Sequence, residues 1–233
     1  MSSALVVEYF QQLPERRDGE NPEAWRVRLR AAGEAFRKRV AERYQEGTLL
    51  RLLANANPAT RQAAVFALGL SGTMIASPPL AVRLRDNESE IRELAADALW
   101  SIWFRADNEE NNRELQRLLR TRDRERARVG LDKLIGRAPT FAEAYNQRAM
   151  LAFRLKDFEK SVGDCEKVLK LNPHHFGALA GLGQSYLQLR KNKAALKAFR
   201  AALRINPSLD GVAETIRAIE NALGEEGRKD DKK

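Results

Sequence analysis

From Tyr145 to Pro207, large, small and helix-ending residues recur with a spacing of 34. Tyr145, Ala149, Ser161, Cys165, Val168 and Pro173 fill one set of positions. Leu179, Gly183, Ala195, Phe199, Ala202 and Pro207 fill the same set one period later. A period of this length marks stacked helical hairpins, a construction that mostly binds other chains. Small residues let paired helices approach, large ones fill the gap to the next hairpin, and each proline ends a helix because it lacks an N–H and restricts the residue before it. One period upstream, Leu115, Leu118, Ala127, Leu131, Leu134 and Pro139 make Asn108–Phe141 a weaker third copy. Downstream, Val212, Ile216, Ile219 and Leu223 form the apolar stripe of a last helix.

A second period, of 31 residues, runs through the N-terminal half, where Arg61, Ala64 and Leu68 match Arg92, Ala95 and Leu99. Helices are expected over 57–69 and 88–100, each preceded by a partner at Leu49–Ala54 and Pro79–Arg85. Further upstream, Asn21-Pro22-Glu23 reads as a helix start and Glu46-Gly47 as a stop. Between them Trp25, Leu29, Ala32, Phe36, Val40 and Tyr44 fall on one face at steps of three or four. Trp100, Trp103 and Phe104 are expected to fill the joint between the two arrays.

The segment from Ala142 to Leu209 resembles two tetratricopeptide repeats. The second copy supplies Leu182-Gly183, Tyr186, Ala195, Phe199, Ala202 and Pro207. The first departs from the pattern, with Arg148-Ala149 for Leu-Gly, Ala152-Phe153 shifting the aromatic by one, and Cys165 in a large slot. The strings NPATRQAAVFALG and ESEIRELAADALW resemble the second helices of HEAT-like repeats. Together these resemblances imply an all-α solenoid of helical hairpins, HEAT-like repeats leading into about three tetratricopeptide repeats and a capping helix. Residues 1–106 would hold the amphipathic helix and HEAT-like part, 107–223 the tetratricopeptide part with its cap, and 224–233 a disordered charged tail. The tetratricopeptide resemblance also implies a concave groove lined by Glu143, Asn146, Met150, Phe153 and Arg154, then by Gln184, Leu187 and Gln188. Such a groove suits a peptide or helix segment of another protein. Gly177 and Gly181 stand where the chaperone-tail-binding subfamily carries Lys and Arg, which disfavours that ligand.

Composition narrows the classes. A hydrophobic share of 43% and a charged share of 31% suit a helical, folded chain. No stretch approaches the roughly 20 apolar residues that span a bilayer. The N-terminus lacks an export pattern, and a single cysteine cannot form an internal disulfide, so a cytoplasmic location is expected. Residues 142–209 carry 12 basic and 5 acidic side chains, which is +7 of the chain's +9. Within them Lys193, Lys197, Arg200 and Arg204 form a stripe at i, i+4, i+7 and i+11, the basis of an alternative role at nucleic acid. A further alternative is a structural subunit of a larger complex.

Catalytic chemistry is hard to assemble. His174 and His175 are the only histidines and follow Pro173 in an inter-repeat turn, where exposure is expected. They offer no helical metal-ligand spacing. Cys165 occupies a slot facing the hairpin core, which suits a buried structural thiol. Gly181-Leu182-Gly183 lacks the third glycine of a dinucleotide loop, and helix packing accounts for it. The expectation is a non-enzymatic scaffold with no cofactor and no metal.

Overall fold

The structure, a computed structural model, describes residues 4–230, with side chains to Gly224. Thirteen α-helices and no strand occur among the described residues, in two units, Met1–Ile102 and Trp103–Lys233.

In the first unit, helix α1 (Leu5–Gln11) precedes the expected long helix α2 (Pro22–Ala41). Asn21 opens α2 as the sequence suggests, its side chain accepting the N–H groups of Glu23 and Ala24. Phe36 and Val40 are buried, whereas Leu29 and Val27 are exposed. Phe10, Phe36 and Phe66 pack edge to face, with centroids 5.1–6.5 Å apart. The expected stop at Glu46-Gly47 is a start instead. Helix α2 ends at Ala41, and α3 (Glu46–Leu52) begins at Glu46, whose carboxylate accepts the N–H of Thr73 at 2.7 Å. A distant partner and a favourable acidic first turn outweigh the local glycine signal.

Helices α4 (Pro58–Ser71), α5 (Ser77–Arg83) and α6 (Ser89–Trp103) complete that unit, except that Trp103, the last residue of α6, belongs to the second. The 31-residue period survives in atomic detail. Arg61 donates to the carbonyls of Asn55 and Ala56, and Arg92 donates to those of Asp86 and Asn87. Asn55 and Asp86 each accept the N–H two residues on. The repeats are also joined, because Arg61 grips the Asp86 carboxylate with two hydrogen bonds of 2.7 and 2.8 Å. Arg61 holds the Asp86 carboxyl below its ordinary range, chiefly through this pairing.

The second unit consists of three hairpins and a last helix: α7 (Glu109–Leu119) with α8 (Arg124–Arg137), α9 (Ala142–Arg154) with α10 (Phe158–Leu171), α11 (Phe176–Gln188) with α12 (Asn192–Ile205), then α13 (Val212–Asp230). Leu115, Leu118, Ala127, Leu131 and Leu134 are all buried. Helices α10 and α12 stop before Asn172-Pro173 and Asn206-Pro207, where each asparagine accepts the N–H two residues on. Within the last two hairpins the turn residues Lys156 and Arg190, one period apart, both have a left-handed backbone, φ 62° and 56°. The turn between α7 and α8, residues 120–123, is one residue longer than the turns at 155–157 and 189–191. Val212, Ile219, Ile216 and Leu223 of α13 pack with Ala195 and Phe199. Backbone is described to Asp230 within the expected tail, and residues 231–233 lie outside the described residues.

Candidate peptide-binding groove

Glu143, the first residue expected on the groove, is fully enclosed at 0% exposure. One carboxylate oxygen accepts the side-chain amides of Asn146 and Gln147 at 3.0 and 2.6 Å. The other lies 3.0 Å from His175 Nε2. His175 is the N-cap of α11, and its Nδ1 accepts the N–H of Ala178 at 3.0 Å. With Nδ1 used as an acceptor, Nε2 carries the ring proton and donates it to Glu143. The imidazole stacks on Trp103, centroids 4.2 Å apart, and is itself 0% exposed.

Two expectations therefore change. His175 is buried, not exposed, because capping, stacking and the Glu143 hydrogen bond satisfy every polar atom of its ring. Glu143 and Asn146 are buried too, so they brace the repeat instead of facing a ligand. The sequence carried a usable signal: one period before His175 stands Phe141, also buried, so this slot is an interior one.

The rest of the expected groove is divided. Met150 is 42% exposed, and Arg154, Gln184 and Gln188 are exposed. Phe153 is half-buried, its ring edge-on to Phe158 at 5.4 Å. Leu187 packs on the cluster of Phe199, Val212 and Ile219, so α13 shares in covering the groove at α11. The open ground lies nearer α7. A cleft of about 370 Å³ is lined there by Leu119, Arg122, Arg124, Gln147, Met150 and Arg154, among others. Leu119 is 41% exposed, so two large apolar side chains stand open on the cleft wall. Arg122, in the α7–α8 turn, and Arg124, the first residue of α8, lie outside the sequence-derived set because that set covers only α9 and α11.

The basic stripe is not uniform. Arg200 is paired with Glu220 of α13 at 2.5 Å, and Arg204 is engaged as well. Lys193 and Lys197 remain exposed, and Lys193 lines a shallow basic cleft with Arg190, Lys191 and Leu223.

Cys165 is buried, and burial, the largest cause, pushes its thiol up to about 12, so it is protonated near neutrality. No group of three or more potential metal ligands occurs among the described residues. No helix among them is long and apolar enough to cross a membrane.

Comparison with known proteins agrees with the repeat geometry. Residues 142–175 and 176–209 each match the tetratricopeptide repeat family. A tetratricopeptide repeat-containing protein of Rhizobium etli is 34% identical over 93 residues, 40% of this chain and 46% of that protein. Mouse sperm-associated antigen 1 is 31% identical over 101 residues, 43% of this chain and 11% of the mouse protein. The chain thus spans less than half the length of these relatives. Among solved structures, the first tetratricopeptide domain of Spaghetti (RPAP3) bound to an HSP90 peptide aligns with a TM-score of 0.44 at 24% identity, covering 50% of this chain and 89% of that one. The Hsp90 co-chaperone Cns1 of Saccharomyces cerevisiae aligns at 0.46 and 23%, covering 53% and 41%.

Proposed function

We propose that this chain, with its two matched tetratricopeptide repeats, is a non-enzymatic adaptor that docks a segment of another protein against α7 and α9. The observation that carries this reading is the cleft beside Met150, where Met150 and Leu119 stand exposed on a wall of otherwise packed helices. Large exposed side chains clustered on a concave surface suit a bound apolar residue. Of the groove residues expected from the sequence, Met150 and Arg154 belong to the cleft. Gln184 and Gln188 extend the exposed surface along α11, and Phe153 and Leu187 are supports. Residues 4–102 contribute a second array of hairpins, which we assign to a HEAT-like class on the repeated Arg61 and Arg92 hydrogen bonds. A buried, protonated thiol and the lack of any other cysteine suit a cytoplasmic setting.

Site-specific photo-crosslinking in cells tests the groove. A benzophenone side chain placed at Met150 or Leu119 is expected to trap a discrete protein adduct, whereas one at Lys197 on α12 is not. Adducts of equal yield at all three positions, or only at Lys197, would remove the groove reading. Adducts only at Lys197 that contain nucleic acid would move attention to the basic surface of α12.

A further inference from the structure

The arginines at the cleft lack the partners that most arginines of α7 and α8 have, although Arg120, outside the cleft, lacks a side-chain partner among the described residues as well. On α7 and α8, Arg113 pairs with Glu109, Arg117 with Glu114, Arg126 with Asp123, and Arg128 with Glu125. Arg137 lies 3.9 Å from Glu110. The side chains of Arg122, Arg124 and Arg154 form no hydrogen bond or ion pair with any described residue, and all three line the cleft. No carboxylate lines it. The acidic residues beside Arg122 and Arg124 in sequence, Asp123 and Glu125, are already committed to Arg126 and Arg128. The result is an apolar wall, Leu119 and Met150, bordered by three uncompensated guanidinium groups.

We propose that the cleft selects an acidic linear segment of a partner protein, in which carboxylates flank one aliphatic or thioether side chain. The apolar residue lies against Leu119 and Met150, and the carboxylates meet Arg122, Arg124 and Arg154. Charge complementarity favours this occupant over a neutral or basic one. Guanidinium groups take carboxylates in paired hydrogen bonds, and three like charges around one opening repel cationic ligands. The basic groups come from the α7–α8 turn, the start of α8 and the end of α9, whereas Gly177 and Gly181 leave that part of α11 without charge. The inference rests on the groove reading above.

A displayed library of random linear peptides, selected on the immobilised full-length chain, separates the two. Wild type is expected to enrich peptides rich in Asp and Glu around a Leu or Met. Synthetic versions of the enriched peptides should bind at least about tenfold more weakly to Arg122→Glu/Arg124→Glu and lose affinity as salt rises. Their Asn/Gln counterparts should fail on wild type. All three arginine side chains are exposed, so circular dichroism and melting should match wild type for this variant and for Arg154→Gln.

Enriched peptides without acidic excess, lost by Met150→Asp but retained by the arginine variants, would overturn the acidic inference and leave the groove standing. No enrichment, or enrichment insensitive to Met150→Asp and to the arginine changes alike, would overturn both. A fluorescein-labelled DNA single strand or duplex that outcompetes the selected peptides, and depends on Arg122 and Arg124, would replace the protein segment with nucleic acid as occupant.

Discussion

The last two hairpins of the second unit share a backbone plan and differ in what holds them together. In α9–α10, Arg148 grips Asp164 with two hydrogen bonds of 2.6 and 2.8 Å and reaches Asp132 of the preceding hairpin at 2.7 Å. One period later these two positions are Leu182 and Ala198, both buried in an apolar cluster. The neighbouring pair differs as well, being Ala149 with Cys165 in the first hairpin and Gly183 with Phe199 in the second. A β-carbon added at Gly183 would stand 2.8 Å from the Phe199 ring. The second hairpin has thus traded a methyl on one helix for a phenyl on the other, and a charged pair for an apolar one. The lesson is that a repeat preserves where helices cross and how much volume each crossing holds, not the chemistry that fills it.

The comparison breaks most severely at the charged pair. Arg148→Leu, which imports the second hairpin's residue, leaves the Asp164 carboxylate buried without its main partner and should cost about 3–5 kcal/mol in a denaturant melt. Arg148→Leu/Asp164→Ala, which imports both residues, should recover most of that loss. If the double variant is no better than the single, the charged pair is more than an alternative filling.

A smaller effect is expected at the aromatic crossing. Gly183→Leu forces the Phe199 ring aside and should cost about 1–3 kcal/mol or more. Gly183→Ala should cost less than that, and Gly183→Ala/Phe199→Cys, the first hairpin's pair, should show favourable coupling in a double-mutant cycle. Strict additivity would show that these positions do not share one volume.

The mildest test concerns the first unit, where Arg61 and Asp86 form another buried arginine–carboxylate pair. Asp86 titrates below its ordinary range in the folded chain, mainly through its hydrogen bonds with Arg61. Its contribution is therefore complete above the unfolded value, near pH 4, and is lost as pH falls through the lower folded value. Asp86→Asn should lower stability at neutral pH and flatten the acid limb of a melting-temperature profile. An unchanged acid limb would assign acid sensitivity to other carboxylates.

Much of the fold was legible because its signals are local. The 34-residue spacing placed α9 to α12, the prolines marked the ends of α10 and α12, and the 31-residue spacing placed α4 and α6. Helix α1 and the true start of α3 were missed. Helix α1 is too short for a periodic signal, and α3 depends on Glu46 meeting Thr73, which lies 27 residues away. The site was legible in part. Met150 and Arg154 followed from their repeat positions, whereas Arg122 lies in the α7–α8 turn and Arg124 opens α8, outside the first-helix positions that the repeat pattern marks as groove-lining.

The positions of α4, α6 and α9 to α12, the small and large crossing slots and the thiol's interior place were determined by the sequence alone, since each depends on neighbours within a turn or on a repeated length. Only the tertiary structure decided which polar residues are enclosed and which charges are left over. Glu143 meets His175 across 32 residues of chain, and Arg148 meets Asp164 across 16. Arg122 and Arg124 keep their charges free because Asp123 and Glu125, beside them in sequence, pair with Arg126 and Arg128. Burial and pairing are properties of three-dimensional proximity, so the same residue types could have formed a solvated surface or a braced interior.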